Sequence, residues 1–132
     1  MKIRKANEKD FYESLKIAKS LNHWFSSYSV SNSMPIDFKV NNLVAAIDKN
    51  EVIGFLCYST WEGEMKINWI GVKKDCQSKG VGSYLIKWLE NKAKTLNSDY
   101  LLVEHFQRSI GTNIMLRQEN SIPLLDSRKF MT

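Results

Sequence analysis

The chain has 132 residues, 43% hydrophobic and 25% charged, which is typical of one folded domain, and its net charge of +5 favours an anionic partner, either nucleic acid or a polyphosphate cofactor. The first ten residues are charged instead of leader-like, and no stretch has the roughly 18 apolar residues of a membrane span, so we expect a cytoplasmic protein without a membrane partner. Cys57 and Cys76 have no CxxC spacing and only two histidines accompany them, which argues against a metal site.

The amino-terminal residues predict a strand followed by an amphipathic helix. Residues 2–6 are typical of a short strand. Asn7 is a candidate N-cap with Asp10 three residues later, and apolar residues recur at helical spacing from Phe11 to Leu21. We therefore expect the helix to end before Trp24.

The next segment predicts an irregular region and then a β-hairpin. Residues 26–33 are rich in serine and indicate a loop or one irregular helical turn, and Pro35 disfavours helix at Met34. Two apolar runs, 43–47 and 52–60, flank a polar turn. They predict two antiparallel strands.

A strand, a loop and a helix follow at 65–96. After the strand at 65–72, the helix carries an apolar stripe, which predicts a packing face. A further apolar strand at 100–103 implies a parallel pair, because a crossover helix separates it from the preceding strand. The stripe consists of Val81, Leu85, Trp88, Leu89, Ala93 and Leu96.

The loop between this strand and helix carries the sequence's main functional signal. A Walker loop would need a lysine after its last glycine, but Lys79 precedes Gly80; a dinucleotide fingerprint would need glycine where Leu85 stands. The run from Gln77 to Gly82 is instead Q-x-x-G-x-G. Glycines at 80 and 82 would let the backbone approach a pyrophosphate closely, and the alternative is an ordinary strand-to-helix turn.

This loop resembles the pyrophosphate loop of the GNAT superfamily of acyl-CoA-dependent N-acetyltransferases, and the order of elements from Lys2 to Val103 is similar to that family. The resemblance implies an α/β (α+β) fold, with a mixed, mostly antiparallel sheet flanked by helices. It implies transfer of an acetyl group from acetyl-CoA to a primary amine of a small molecule or peptide by direct attack. The residues implied to bind the cofactor are Ile70, Gly71, Val72, Gln77, Ser78, Lys79, Gly80, Val81, Gly82 and Ser83.

The catalytic base is less clear from the resemblance. Some family members have a glutamate on the strand before the loop, but Lys66 occupies that position here. Asn68, on the same strand face, is a candidate for orienting a water. Glu104, at the end of the next strand, is the candidate carboxylate base. A solvated charge with no catalytic role is the simpler interpretation of this residue. The adjacent His105 could serve equally as the base.

Two tryptophans have two interpretations. Trp61 and Trp69 could line an acceptor pocket, but we expect both to pack in the core.

The resemblance divides the chain at about residue 105. Residues 1–105 form the acetyl-CoA-binding core, whereas 106–132 have no clear period and lack a recognisable C-terminal hairpin. Family members often carry there a phrase like F-Y-x-x-x-G-F, whose tyrosine protonates the departing thiolate, but no tyrosine follows Tyr100. The last quarter of the chain is therefore atypical.

A one-nucleotide frameshift could explain this ending. Back-translation of 106–132 in the neighbouring frame, with permitted codon choices, gives PEKHWDEYYAKTRKFYTSIGFKEIYD, which contains the missing phrase. The nucleotide sequence tests this hypothesis. A sequence whose codons cannot spell that string rejects it.

Three functions follow from these observations. The leading one is an N-acetyltransferase, and the second is an acyl-CoA-binding module or sensor with impaired catalysis. A basic nucleic-acid-binding domain ranks last, because the lysines are spread along the chain. An uncovered strand edge in the tail could also pair with a second copy in a homodimer.

Overall fold

A computed structural model describes residues 1–61, 64–95 and 100–103. A sheet of five strands forms its centre, and helices cover both faces. Residues 106–132, and with them the predictions for the C-terminal segment, lie outside the described residues. The elements in chain order are β1 (Lys2–Lys5), α1 (Glu8–Ser20), a π-helical turn (Ser29–Ser33), α2 (Met34–Val40), β2 (Asn42–Asp48), β3 (Glu51–Trp61), β4 (Glu64–Val72), a 3₁₀ segment (Lys74–Lys79), α3 (Val81–Thr95) and β5 (Tyr100–Val103).

The strands lie in the order β1-β2-β3-β4-β5. The first three neighbouring pairs are antiparallel. Short turns join β2 to β3 and β3 to β4, as the sequence predicts, whereas α1 and α2 lie between β1 and β2. β5 pairs with β4 in parallel, after the crossover through α3. The predicted mixed, mostly antiparallel sheet is thus confirmed for the described residues.

A β-bulge interrupts β4 at Asn68. Cys57 of β3 pairs with Trp69, but the next residue, Tyr58, pairs with Ile67, so Asn68 is the extra residue. Ile67 and Ile70 pack on the α3 face of the sheet, whereas Trp69 packs on the α1–α2 face. The bulge therefore breaks the simple alternation of side chains along β4.

Two apolar cores lie on opposite faces of the sheet. Side chains of α3, among them Leu85 and Leu89, pack against Leu56 and Ile70 on one face. The stripe predicted for this helix is confirmed through Ala93, although Trp88 is only partly buried and Leu96 lies outside the described residues. On the other face, α1 and α2 cover Phe55 and Cys57.

The start of α1 is stabilised as the sequence predicts. Asn7 Oδ1 accepts from the backbone N–H of Asp10 at 2.8 Å, and Asp10 Oδ2 accepts from the backbone N–H of Asn7 at 3.1 Å. This reciprocal capping box satisfies donors that a helix start otherwise leaves open. Arg4 adds two hydrogen bonds from β1 to the Asp10 carboxylate, both at 3.0 Å.

The expectation that Pro35 disfavours helix at Met34 is wrong. Met34 has helical dihedrals (φ −63°, ψ −45°), because the π-helical turn leads directly into α2. Its side chain is fully buried, and that packing outweighs the local preference. Pro35 lies in the first turn, where its missing N–H would have had no helical partner.

Close packing places α3 against the end of the sheet next to the loop. A Cβ on Gly54 would lie 3.1 Å from Val81 Cγ1, and one on Gly71 would lie 2.6 Å from Phe55 Cε1. Absence of a side chain at these two positions lets the start of α3 and the Phe55 ring approach the strands from opposite faces.

Candidate functional site

The loop after β4 is a compact helical connection. Residues Lys74–Lys79 form the 3₁₀ segment, Gly80 adopts a left-handed conformation with φ +77°, and α3 begins at Val81. A Cβ at Gly80 would meet nothing within 4 Å. Glycine is therefore favoured here by the backbone conformation and not by crowding.

The start of α3 directs a set of backbone donors out of the loop. The N–H of Tyr84 donates to the carbonyl of Gly80 at 3.0 Å. The N–H groups of residues 81–83 precede this bond, so the helix itself offers them no acceptor. Together with the positive end of the helix dipole, they can bind an anion.

Side chains around the loop divide into a structural group and a charged group. Gln77 Nε2 donates to the carbonyl of Val72 at 3.0 Å and ties the loop to the end of β4. This contact holds the Gln77 side chain at the strand end, which the sequence did not predict. Lys74 and Lys79 are exposed and add positive charge beside the α3 start.

The predicted cofactor strand lies next to this loop. β5 pairs with β4 from Glu64 to Ile67 only, and the bulge follows at the next residue. Residues 70–72 thus extend beyond the described part of β5, towards the loop. The residues that the sequence assigns to the cofactor lie at the end of β4, in the 3₁₀ segment and at the start of α3.

A polar cluster lies at the bulge, on the α1–α2 face. The Trp69 indole Nε1–H donates to Asp37 Oδ2 at 2.6 Å, and the Cys57 thiol donates to the backbone carbonyl of Asp37 at 3.6 Å. The Asn68 side chain hydrogen-bonds to Cys57. Asp37 and Cys57 were not identified from the sequence, because no short motif marks them.

The Cys57 thiol is held neutral in this cluster. Burial, and secondarily the negative charge of Asp37, raise the pKa of Cys57 to about 12, against a smaller opposing effect of the Asn68 hydrogen bond. A nucleophilic thiolate is therefore scarce at neutral pH, and Cys57 is a poor candidate for a covalent acyl carrier.

The other residues considered from the sequence have separate positions. Lys66 is exposed on β4, and Glu104 and His105 lie outside the described residues. Trp69 packs edge-on against Phe25 with ring centroids 5.9 Å apart, as expected of a core residue. Trp61 is 75% exposed, so the expectation that it packs in the core is wrong; it lies at the very end of β3.

A groove of about 820 Å³ lies at the opposite end of the sheet. Side chains from the ends of β1 and β3 and from the second half of α3 line it, among them Lys5, Thr60 and Trp88. None of residues 73–83, all of which the structure describes, contributes to its lining. The groove is therefore separate from the α3 start.

No helix among residues 1–61 and 64–95 is both long and apolar enough to cross a membrane. In the same part of the chain, no three side chains of His, Cys, Asp or Glu are grouped so as to hold a metal ion.

Comparisons with known proteins identify the family and the fold. The model of the acetyltransferase (GNAT) family matches residues 5–112. A search of curated protein sequences found no match to the chain.

Solved structures of acetyltransferases share the fold. A ribosomal-protein-alanine N-acetyltransferase from Brucella melitensis biovar Abortus has a TM-score of 0.71 at 16% identity, over 92% of this chain and 89% of that one. A GNAT family acetyltransferase from Brucella melitensis, in complex with acetyl-CoA, has a TM-score of 0.65 at 14% identity, over 77% of this chain and 73% of that one.

An aminoglycoside 6'-N-acetyltransferase complexed with coenzyme A has a TM-score of 0.64 at 14% identity, over 78% of this chain. The chain spans only 61% of the length of that enzyme.

Proposed function

Because the chain belongs to the GNAT family of acetyltransferases, we propose that it transfers an acetyl group from acetyl-CoA to a primary amine of a small molecule or peptide. The observation that carries this proposal is the left-handed Gly80, which ends the 3₁₀ segment after β4 and directly precedes α3. Two solved relatives in fold hold acetyl-CoA or coenzyme A, which supports the choice of donor.

The loop residues would hold the pyrophosphate of the donor. Backbone N–H groups of residues 81–83 would donate to its oxygens, each charge-assisted bond contributing about 1.5–3 kcal/mol. The dipole of α3 adds roughly 0.3–1 kcal/mol. Backbone donors therefore dominate, and the exposed Lys79 and half-buried Ser83 side chains adjust the fit; the backbone of Ile70, Gly71 and Val72 would pair with the pantetheine arm.

Transfer would proceed by direct attack. The amine nitrogen bonds to the thioester carbonyl carbon, the carbon–sulfur bond breaks, and coenzyme A leaves as a thiolate that takes up a proton. Cys57, with a pKa of about 12, supplies no thiolate that could carry the acetyl group in between.

The attacking amine must first lose a proton. Deprotonation of an alkylammonium of pKa ~10.4 costs about 4–5 kcal/mol of free energy at pH 7. A water oriented by Asn68, which lies at the bulge, would take up this proton. Glu104 is the candidate base that would receive the proton from the water.

Calorimetry with acetyl-CoA tests donor binding. Wild type is expected to bind, and Gly82→Trp to lose binding, because a bulky side chain at this buried position would displace the backbone at the start of α3. Lys87→Trp is the matched control: it adds the same side chain to an exposed position of the same helix and should bind as wild type does.

Gly82 is buried, so thermal melting of Gly82→Trp must accompany the titration, and the exposed charge reversal Lys79→Glu provides a second variant. Equal binding by wild type, Gly82→Trp and Lys79→Glu would contradict the proposed donor site.

A second function is favoured by one observation: no tyrosine follows Tyr100 in the sequence. Without that acid the chain would be an acyl-CoA-binding module or sensor, with residues 1–105 as its binding core. Release of thiol from acetyl-CoA with a panel of amines separates the two functions. Binding without release supports the module.

A further inference from the structure

Asp37 lies on α2 with its carboxylate held by a donor from the sheet. The Trp69 indole N–H of β4 donates to Oδ2 at 2.6 Å. The residue is half-buried, and the Cys57 thiol donates to its backbone carbonyl and not to its side chain. Among the described residues, one neutral donor thus fixes the carboxylate in position.

No cation of the described residues neutralises this carboxylate. The ion pairs within 1–61, 64–95 and 100–103 involve Asp48, Asp10, Glu13 and Glu51, and not Asp37. A carboxylate has about four lone-pair sites, and the indole occupies one. A half-buried carboxylate with capacity left over favours a positively charged partner.

The position of Asp37 relates it to the proposed transfer site. Its partner Trp69 directly follows the bulge residue Asn68 and directly precedes Ile70, where the proposed pantetheine segment begins. Because a strand rises about 3.3 Å per residue, the bulge lies within about 10 Å of that segment along β4. The α1–α2 face carries the carboxylate, whereas α3 lies on the opposite face.

We propose that Asp37 binds the ammonium group of the acceptor, so that the acceptor is a cationic primary amine held beside Trp69 before it loses its proton. This inference rests on the proposed function. Some relatives have a glutamate on β4, but Lys66 occupies that position here. In this chain the carboxylate near the acceptor would instead come from α2. The step is binding only: the ammonium nitrogen donates to Asp37, and no covalent bond changes.

The Trp69 indole gives a direct readout that needs no turnover. Its Nε1–H resonance, identified with Trp69→Phe, should move when an ammonium reaches the carboxylate to which it donates. The probes are two isomers: benzylamine, which is cationic at neutral pH, and 4-methylaniline, which is neutral. Wild type should show a saturable shift with benzylamine and a much weaker response to 4-methylaniline.

Asp37→Asn removes the charge but keeps an oxygen for the indole. It should weaken benzylamine binding by about 10- to 100-fold, the loss expected for one charged hydrogen bond, and leave 4-methylaniline unchanged. Asp48→Asn makes the same change at the β2 end and should bind as wild type does. If benzylamine leaves the Trp69 resonance unmoved, or binds Asp37→Asn as tightly as wild type, the inference is overturned.

The donor titration separates this failure from that of the proposed function. If wild type fails to bind acetyl-CoA but its Trp69 resonance shifts with benzylamine, the transferase proposal is contradicted and the ammonium site is supported. A second result is also informative: wild type releases thiol with benzylamine, and Asp37→Asn has the same KM for the amine as wild type. This result would support the transferase but would show that Asp37 does not bind the acceptor.

Discussion

The Asp10 carboxylate joins β1 to α1 and is 1% exposed. Burial alone raises the pKa of Asp10, but the Arg4 hydrogen bonds, the backbone bond from Asn7 and the positive charges of Arg4 and Lys9 outweigh it, so the pKa lies below its usual value. Its stabilising contribution is therefore complete above the unfolded pKa of about 3.9 and is lost as pH falls through the lower folded pKa.

Asp10→Asn is accordingly expected to lower the free energy of unfolding by about 1–3 kcal/mol at pH 7, because the Arg4 bonds to this buried side chain lose their charge. Urea unfolding at several pH values measures this difference, which should shrink below about pH 4.

Glu13→Gln on the same helix is the control. Its ion pair with Lys16 is exposed, at 3.2 Å, and should change stability by less than about 0.5 kcal/mol. A difference between Asp10→Asn and wild type that stays constant from pH 7 to pH 2 would refute the assignment of the low pKa.

The two thiols are expected to react differently. Cys57 is fully buried with a pKa of about 12, whereas Cys76 is half-buried, and burial and the Asp75 hydrogen bond raise its pKa above the usual value. Because the thiolate is the reactive form, a maleimide should label Cys76 first, faster as pH rises, and Cys57 only after unfolding.

Mass spectrometry of the labelled protein locates the modification. The folded Cys76→Ser variant should remain unlabelled during the time in which one maleimide reacts with wild type. Comparable labelling of both cysteines in the native protein would show that the β3 core opens readily.

At the scale of elements, the contact between Gly71 of β4 and the Phe55 ring of β3 determines how closely the core can pack. A Cβ at Gly71 would lie 2.6 and 2.7 Å from two ring carbons. Gly71→Ala is expected to destabilise the fold by about 1–3 kcal/mol through overpacking. In a Phe55→Leu background, which makes room there, the same substitution should be less destabilising.

Gly80→Ala provides the comparison. The added methyl group meets open space, so its expected loss of about 1–2 kcal/mol comes from the left-handed backbone and should not change in the Phe55→Leu background. Chemical denaturation of wild type, the three single variants and the two double variants gives the coupling energies. If Gly71→Ala is equally destabilising with and without the Phe55→Leu change, the ring contact is not the cause.

The elements that sequence reasoning predicts correctly are those with local signals. The Asn7–Asp10 capping box and the start of α3 after Gly80 each depend on residues that lie close together in the chain. Helix at Met34 is not predictable in this way, because the burial of its side chain depends on distant residues. The bulge at Asn68 has no glycine or other local mark.

The candidate site divides in the same way. The loop from Gln77 to Gly82 is a contiguous motif, and the sequence alone points to it. The bond between Asp37 and Trp69 joins residues 32 positions apart, which only the folded chain brings together. The Gln77 bond to Val72 is closer in sequence, but no rule of spacing distinguishes a phosphate-facing glutamine from one that ties a strand end.

At the scale of the whole molecule, the C-terminal segment provides a test of the frameshift hypothesis in protein form. Replacement of residues 107–132 by PEKHWDEYYAKTRKFYTSIGFKEIYD should raise kcat by about 100-fold or more, because a general acid typically contributes that much. The affinity for acetyl-CoA, measured by calorimetry, should change little, since the loop and α3 stay the same.

The control replaces the tyrosine of FYTSIGF by phenylalanine within the same new ending. That protein should fold and bind as the restored chain does but turn over as slowly as the present one. Equal rates for the restored chain, its phenylalanine control and the present chain would argue that the ending has no catalytic role.

The separation of the two cores by the sheet has a consequence for how such a protein can diversify. Substitutions under α1 and α2 lie on the other face from α3, so their effects on stability should add to those at the α3 face with little coupling. Under the proposed function, substitutions on the α1–α2 face that change the acceptor would leave the start of α3, where the pyrophosphate would bind, largely unaffected. Such a protein could then change its acceptor while it keeps acetyl-CoA as the donor.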